Sequence, residues 1–260
     1  MIAVLLCAGF AVRMYPLTRD FPKPLLSIAD RPVIDFLMDQ LLDLKDLCAI
    51  HVITNTRFHD HFDSWRHTWL PALAARGTAL EIHNDGATAN ENRLGACADL
   101  QFGFQQIAGT SKMLVSAGDN IFRFAIKPLW QRFIKSQDHY VIALLETDKT
   151  KLRRTGVLNL GANDQVLRLH EKPQNPPSTW CCPPLYFLQP SARLRLEEFI
   201  RISQQRDAPG HFIDYLCRKE KVYALKVNAG RLDIGSIDAY RKAEELMRSD
   251  PNLMPIDSRP

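Results

Sequence analysis

Ile2-Ala3-Val4-Leu5-Leu6-Cys7 runs without a break into Ala8-Gly9-Phe10-Ala11-Val12-Arg13-Met14, and the chain continues through Pro16-Leu17-Thr18 to Pro22-Lys23-Pro24-Leu25-Leu26. An apolar run followed by small residues predicts a buried strand that empties into a close-fitting loop. Small residues let backbone N–H groups approach phosphate oxygens, while Arg13 and Lys23 supply charge to neutralise them. Pro22 and Pro24 each restrict φ to about −65°, so the backbone around Lys23 is set before any ligand arrives. The loop lacks the Gly-x-x-x-x-Gly-Lys-Ser/Thr pattern of a P-loop. With Gly9 as its one glycine, it lacks the Gly-x-Gly-x-x-Gly dinucleotide pattern as well. A nucleoside triphosphate is the ligand this arrangement predicts.

Outward from that loop, strand and helix patterns alternate through the first half of the chain. This predicts the α/β class, with a mainly parallel sheet covered by helices. Strands are expected at 2–7, 49–54, 80–83 and 112–116, and helices at 32–44, after Gly95, and at 60–76 with a break at Pro71. Later strands are expected at 140–146, 156–160, 166–170, 184–188 and 222–226, with helices at 191–205, 211–218 and 236–248. The 260 residues are 46% hydrophobic and 24% charged, which suits one folded globular domain and excludes disordered and fibrous classes. We expect a catalytic domain at 1–248 and a proline-rich, frayed tail at 249–260.

No apolar run approaches the roughly 20 residues that span a bilayer, and the first strand lacks a basic leader and cleavage site. A cytoplasmic protein with no membrane partner is expected. The six cysteines show no Cys-x-x-Cys spacing, so neither a zinc ribbon nor a disulfide framework is predicted, and Cys181 and Cys182 read as packing residues. The net charge of +4 comes from scattered basic residues, apart from Lys149, Lys151, Arg153 and Arg154, which suits phosphorylated small molecules better than nucleic acid. None of the eight histidines has a sequence neighbour at metal-ligand spacing; His59 and His61 are two apart and do not share a helix face.

In open α/β sheets ligands bind beyond the carboxyl ends of strands, so residues that follow strands carry the most weight. Asp119, in Ser116-Ala117-Gly118-Asp119-Asn120, has that placement and could hold Mg²⁺ against phosphate. The same tripeptide is also a common turn composition. Asp233, in Leu232-Asp233-Ile234-Gly235-Ser236, is a second carboxylate just before a helix whose cap reads as Ser236.

These stretches together resemble the sugar-1-phosphate nucleotidylyltransferases, such as the glucose-1-phosphate thymidylyltransferases and the catalytic domains of mannose-1-phosphate guanylyltransferases. Their N-terminal pattern reads Leu-Ala-Ala/Gly-Gly-x-Gly-Thr-Arg-Leu/Met, then Pro-Leu-Thr and Pro-Lys-Pro-Leu-Leu. Here Ala11 replaces the usual second glycine and Val12 the usual threonine. The resemblance extends to the Gly118-Asp119-Asn120 loop, to Glu171-Lys172-Pro173 and to Asp233-Ile234-Gly235-Ser236. It implies a Rossmann-like three-layer α/β/α fold, and Mg²⁺-dependent transfer of a nucleotidyl group from a nucleoside triphosphate to a sugar 1-phosphate with release of pyrophosphate.

By the same resemblance Arg13 and Lys23 are catalytic, and Asp119 and Asp233 bind the metal. Nucleotide contacts are implied for Cys7, Ala8, Gly9, Phe10, Ala11, Arg13, Lys23, Asn90, Arg93, Gly95 and Asp119. Asn120, Gly156, Glu171, Lys172 and Tyr186 are implied at the sugar phosphate. The base-reading segment at 84–96 matches no thymidylyl, uridylyl or guanylyl pattern. Relatives often assemble as dimers or tetramers, so a homo-oligomer is compatible with the resemblance. The hexapeptide β-helix of some relatives has no counterpart, and acetyltransferase activity is not expected.

Alanine at position 11 requires either a negative φ or acceptance of strain of roughly 1 kcal/mol or more. Two other readings stay open: a cytidylyltransferase acting on phosphocholine or a phosphonate, and a non-catalytic paralogue that binds nucleotide sugars and regulates a partner.

Overall fold

The computed structural model describes residues 1–228 and 230–250; the tail expected to fray lies, from residue 251, outside the described residues. The chain begins with β1 (Ile2–Leu6), β2 (Ser27–Ile28), β3 (Arg31–Pro32), α1 (Val33–Leu42), β4 (Ala49–Thr54), α2 (His59–Ala74) and β5 (Ala79–Asn84). It continues through α3 (Ala96–Gln106), β6 (Met113–Ala117), β7 (Asn120–Phe122), α4 (Ile126–Ile134), β8 (His139–Leu145), α5 (Lys149–Leu152), β9 (Gly156–Leu160) and β10 (Val166–Glu171). Then come β11 (Trp180–Cys182), β12 (Leu185–Leu188), α6 (Ala192–Ile202), α7 (Pro209–Cys217), β13 (Val222–Val227), β14 (Arg231–Asp233) and α8 (Ile237–Ser249). Contacts divide the described residues into two compact units, one of residues 1–93, 117–128 and 230–250, the other of 94–116 and 129–228.

In the first unit β4 lies between β1 and β5 and is parallel to both. Parallel neighbours need crossovers, and α1 and α2 supply them. Val33, Ile34, Phe36, Leu37, Met38 and Leu41 form the buried stripe of α1. The indole N–H groups of Trp65 and Trp69 on α2 both donate to Asp35 Oδ1 on α1, at 2.7 and 3.0 Å. The break expected at Pro71 does not occur, because the helix runs on to Ala74. Pro71 lies in the last turn, where it forfeits a single amide bond close to the place the helix ends anyway.

In the second unit the strand order is β10-β9-β11-β8-β12-β6, every neighbouring pair antiparallel, with β13 parallel to β8. Phe133 and Phe187 rings stand 5.5 Å apart, and Trp130 packs on both. Cys181 and Cys182 are buried on β11, and all six cysteines are free thiols. The sequence reading omitted α4, α5, β2, β3, β7, β11 and β14. Each is short, nine residues or fewer, and strands of three residues carry too few alternations to register as a period.

One core cluster of the first unit decides the site's geometry. Met14, Leu26, Ile28, Val33, Phe36, Ile121, Ile234, Ala243 and Met247 bury against one another. Met14 adjoins Arg13, Ile121 follows Asn120, and Ile234 follows Asp233, so these three predicted functional segments are each anchored by an apolar neighbour.

Candidate active site

Where β1 ends, the Cys7 N–H donates to Ile53 O at 2.8 Å and carries the ladder with β4 one residue further. Fully buried Asn55, just beyond β4, donates from Nδ2 to Ala8 O at 2.8 Å and accepts the Phe58 N–H on Oδ1 at 3.0 Å. Phe10 turns inward onto Phe58, with ring centroids 5.8 Å apart, which leaves its main chain as the part available to a ligand. Ala11 takes the left-handed conformation, φ 49° and ψ 41°, so the strained alternative is the one realised. Its carbonyl accepts from Thr18 Oγ1 at 2.8 Å and from the Met14 N–H at 2.9 Å. These bonds fasten both sides of the loop.

Pro22 has φ −72°, and the following residues form a single 3-10 turn, Lys23–Leu25, which holds Lys23 nearly buried. Its ammonium Nζ lies 2.6 Å from Asp119 Oδ2. The other Asp119 oxygen, Oδ1, accepts from Asn120 Nδ2 at 2.7 Å. Burial alone would raise the Asp119 carboxyl. The Lys23 ammonium, aided by Arg231, outweighs that and holds it below the ordinary carboxylate range. Cys7, buried and beside Asp119, is pushed well above an ordinary thiol, so it lines the site as a neutral group. Gly118 is needed for close approach: a Cβ there would collide with Cys7 Sγ.

The antiparallel pair β7–β14 sets Asp233 opposite Asn120, one residue from Asp119. Arg231, two residues earlier on β14, donates from Nη1 to Asn120 Oδ1 and lies 3.8 Å from Asp233 Oδ2 through Nη2. Lys23, Asp119, Asn120, Arg231 and Asp233 thus form one chain of polar contacts. Leu6, Cys7, Gly9, Ala11, Arg13, Met14, Lys23, Pro24, Ala117, Asp119 and Gly235 line a pocket beside it. Sequence reasoning missed Arg231, Asn55 and Thr18. The signal for Arg231 was present, since residues i and i+2 of a strand share a face with Asp233.

Other predicted residues lie elsewhere. Asn90 sits in a 3-10 turn after β5, where its carbonyl accepts from Arg93 Nη1 at 2.8 Å, and neither residue lines this pocket. Asn120 is only 2% exposed, its side chain engaged with Asp119 and Arg231. In the second unit Gly156 pairs with Glu171 across β9 and β10, and the Lys172 N–H donates to Thr155 O at 3.1 Å from a left-handed backbone, φ 47°. Tyr186 is buried on β12, opposite Val115 and Val141. Gly95, with φ 90°, caps α3 where a Cβ would stand 2.8 Å from Arg206 O.

A family profile described as nucleotidyl transferase matches residues 2–250. The chain belongs to that family. Glucose-1-phosphate adenylyltransferase of Geobacter metallireducens is 24% identical, over 97% of this chain and 67% of its own. The UTP–glucose-1-phosphate uridylyltransferase AglF of Haloferax volcanii is 24% identical, over 96% and 98%. A crystal structure of UDP-glucose pyrophosphorylase complexed with UDP-glucose superposes with a TM-score of 0.80 at 16% identity, covering 95% of this chain and 98% of that one. The fold is therefore the Rossmann-like α/β nucleotidyltransferase fold, with a mixed sheet. Among the described residues no helix is long and apolar enough to cross a membrane.

Proposed function

We propose that this nucleotidyltransferase transfers a nucleotidyl group from a nucleoside triphosphate to a sugar 1-phosphate and releases pyrophosphate. The observation that carries the reading is the pocket at the end of β1, where the small-residue loop, Arg13, Lys23 and Asp119 meet. A phosphate oxygen of the sugar 1-phosphate attacks the α-phosphorus in line, and the bond to the pyrophosphate oxygen breaks. That nucleophile is already anionic near neutral pH, so no general base is required, and the chain's task is alignment and charge neutralisation.

Each residue's part follows from its setting. The main chain of Ala8 to Ala11 offers donors to phosphate oxygens, the Cys7 N–H being held in the β4 ladder, and exposed Arg13 stands at the pocket to meet the triphosphate. Lys23 is paired with Asp119. A triphosphate competes for that ammonium, so binding frees Asp119 as Lys23 turns to phosphate. Asp119, in the turn just before β7, and Asp233, opposite Asn120 on β14, are hard oxygen donors, and Asp119 is ionised; this set fits Mg²⁺. When bound, Mg²⁺ supplies further neutralisation of phosphate charge.

Asn90, Arg93 and Gly95 are assigned to the nucleotide. Asn120, Gly156, Glu171, Lys172 and Tyr186 are assigned to the sugar phosphate. Residues 1–248 act as one catalytic domain, followed by the tail at 249–260, a division supported by a family match that runs without interruption across both compact units. Six free thiols and a triphosphate substrate suit the cytoplasm. The named relatives differ in their base, so adenylyl and uridylyl transfer both belong in the test.

The test is a pyrophosphate-release screen crossing the common nucleoside triphosphates with sugar 1-phosphates, phosphocholine and a phosphonate, with Mg²⁺ present. Turnover with a sugar 1-phosphate is expected, falling about 100-fold or more in Arg13→Ala and in Asp233→Asn. Asp233 is more than half exposed, so its neutral variant should fold normally. Nucleotide-sugar binding without turnover on any pair would instead support the regulatory reading, and a preference for phosphocholine the cytidylyl one.

A further inference from the structure

Three donors from two strands, His51 on β4 and Glu81 and His83 about 30 residues later on β5, meet on one face of the β4–β5 pair. The parallel register sets His51 opposite Glu81 and Ile53 opposite His83. Register partners point to the same face, as do residues two apart on a strand, so His51, Glu81 and His83 share a face. Their ligating atoms confirm it: His51 Nδ1 is 3.0 Å from His83 Nε2, and Glu81 Oε2 is 3.5 Å from the former and 3.6 Å from the latter. Among the described residues this is the one group of three or more His, Cys, Asp or Glu side chains whose ligand atoms all lie within 4.8 Å of one another.

We propose that His51, Glu81 and His83 form a binding site for a divalent cation of the zinc class, separate from the carboxylates Asp119 and Asp233. The three distances describe a triangle whose corners all lie about 2.0 Å from its centre, the bond length zinc makes to histidine nitrogen and carboxylate oxygen. An ion slightly out of that plane reaches all three donors once the imidazoles turn toward it. The rings are already nearly parallel, 22° apart, and meet edge to edge with centroids separated by 5.2 Å. A cation held by both facing nitrogens would replace the hydrogen bond between them, with release of its proton.

Ligand chemistry selects the cation. Two imidazoles with one carboxylate suit zinc and its late first-row neighbours, whereas Mg²⁺ and Ca²⁺ prefer oxygen donors throughout. Access is open from one side: the Glu81 side chain is 51% exposed and that of His83 13%, while His51 is held in place by burial at 6%. A fourth coordination position is left for water. Because all three residues sit on strands, the donors are positioned by the β4–β5 ladder rather than by loop ordering. Bound metal would tie β5 to β4 side chain to side chain, and ligation would raise thermal stability by mass action.

The experiment titrates the full chain, kept reduced and in excess Mg²⁺, with Zn²⁺ by calorimetry and with Co²⁺ by absorption spectroscopy. One Zn²⁺ per chain is expected, with affinity at least tenfold weaker in Glu81→Gln and in His83→Gln. Zn²⁺ should raise the melting temperature of the unsubstituted protein and leave that of His83→Gln unmoved. The Co²⁺ spectrum should show d–d bands without thiolate-to-cobalt charge transfer. Equal affinity and stoichiometry in both variants would overturn the proposal, as would a thiolate band, which would assign the ion to cysteine. The two substituted positions are the more exposed ones, and circular dichroism confirms that each variant folds.

Discussion

At the scale of single residues, the loop after β1 accepts a local cost. Ala11 holds φ 49°, a conformation that Cβ crowding disfavours by roughly 1–2 kcal/mol. Thr18 and the Met14 amide fix the conformation by bonding to the Ala11 carbonyl, so the surroundings outvote the residue's own preference. Ala11→Gly should therefore stabilise the protein, by about 0.5–1 kcal/mol once the greater freedom of glycine in the unfolded chain is subtracted. Urea unfolding of the two proteins checks this, and an unchanged or lowered midpoint would show that the strain is absent. The Lys23–Asp119 pair differs in kind. Removing the lysine leaves a largely buried carboxylate without its partner, so Lys23→Ala mixes a catalytic loss with a folding loss. Asp233, exposed on β14, allows the cleaner comparison.

At the scale of elements, a second polar network ties β8 to the start of α6 and to the turn after α7. His139 Nδ1 accepts the Gln189 N–H at 3.1 Å while Nε2 donates to Glu220 Oε2 at 2.8 Å, an arrangement that the neutral imidazole satisfies completely. Burial holds His139 below an ordinary histidine, with Glu220 opposing. For Glu220 burial pulls upward, but hydrogen bonds from Ser191, His139 and Arg195 prevail and bring it down to about 2. Both groups bind protons more readily when unfolded, so both give stability that is lost on acidification. The His139 contribution is complete above roughly pH 6.5 and the Glu220 contribution above roughly pH 4.3, their ordinary values. Glu220's share disappears as pH falls through about 2. Glu220→Gln should therefore flatten the dependence of unfolding free energy between pH 4.5 and 2, by up to about 1.4 kcal/mol per pH unit. Chemical denaturation at a series of pH values gives both slopes, and parallel curves would refute the linkage.

At the scale of the whole molecule, the site depends on a core collected from distant parts of the chain. Met14, Ile28, Phe36, Ile121, Ile234 and Met247 belong to one buried cluster, and their chain neighbours Arg13, Asn120 and Asp233 belong to the site. Ile234→Ala should cost about 2–5 kcal/mol and Ile234→Val about 0.5–1.5 kcal/mol, read from urea midpoints at constant m. Turnover should fall with the larger cavity, because Asp233 loses its anchor. The stretch proposed to bind phosphate was legible in the sequence because it is local: strand, small-residue loop, arginine and proline-flanked lysine follow one another within residues 2–26. The longer elements were legible too, since β4, β9 and α3 repeat their apolar period often enough to declare it, whereas β7, β11 and β14 are too short. By itself, then, the sequence carried the family resemblance, the alternation of elements and the placing of Arg13 and Lys23 beside the small-residue loop. Only the tertiary structure decided that Lys23 rests on Asp119, 96 residues away, and that Arg231 links the two carboxylates. It also brought together histidines that no spacing in the sequence pairs, because β4 lies beside β5 and so His51 and His83 meet. The physical reason is register: linear spacing fixes which residues share a face of one element, while the hydrogen-bonded pairing of separate strands fixes which faces meet.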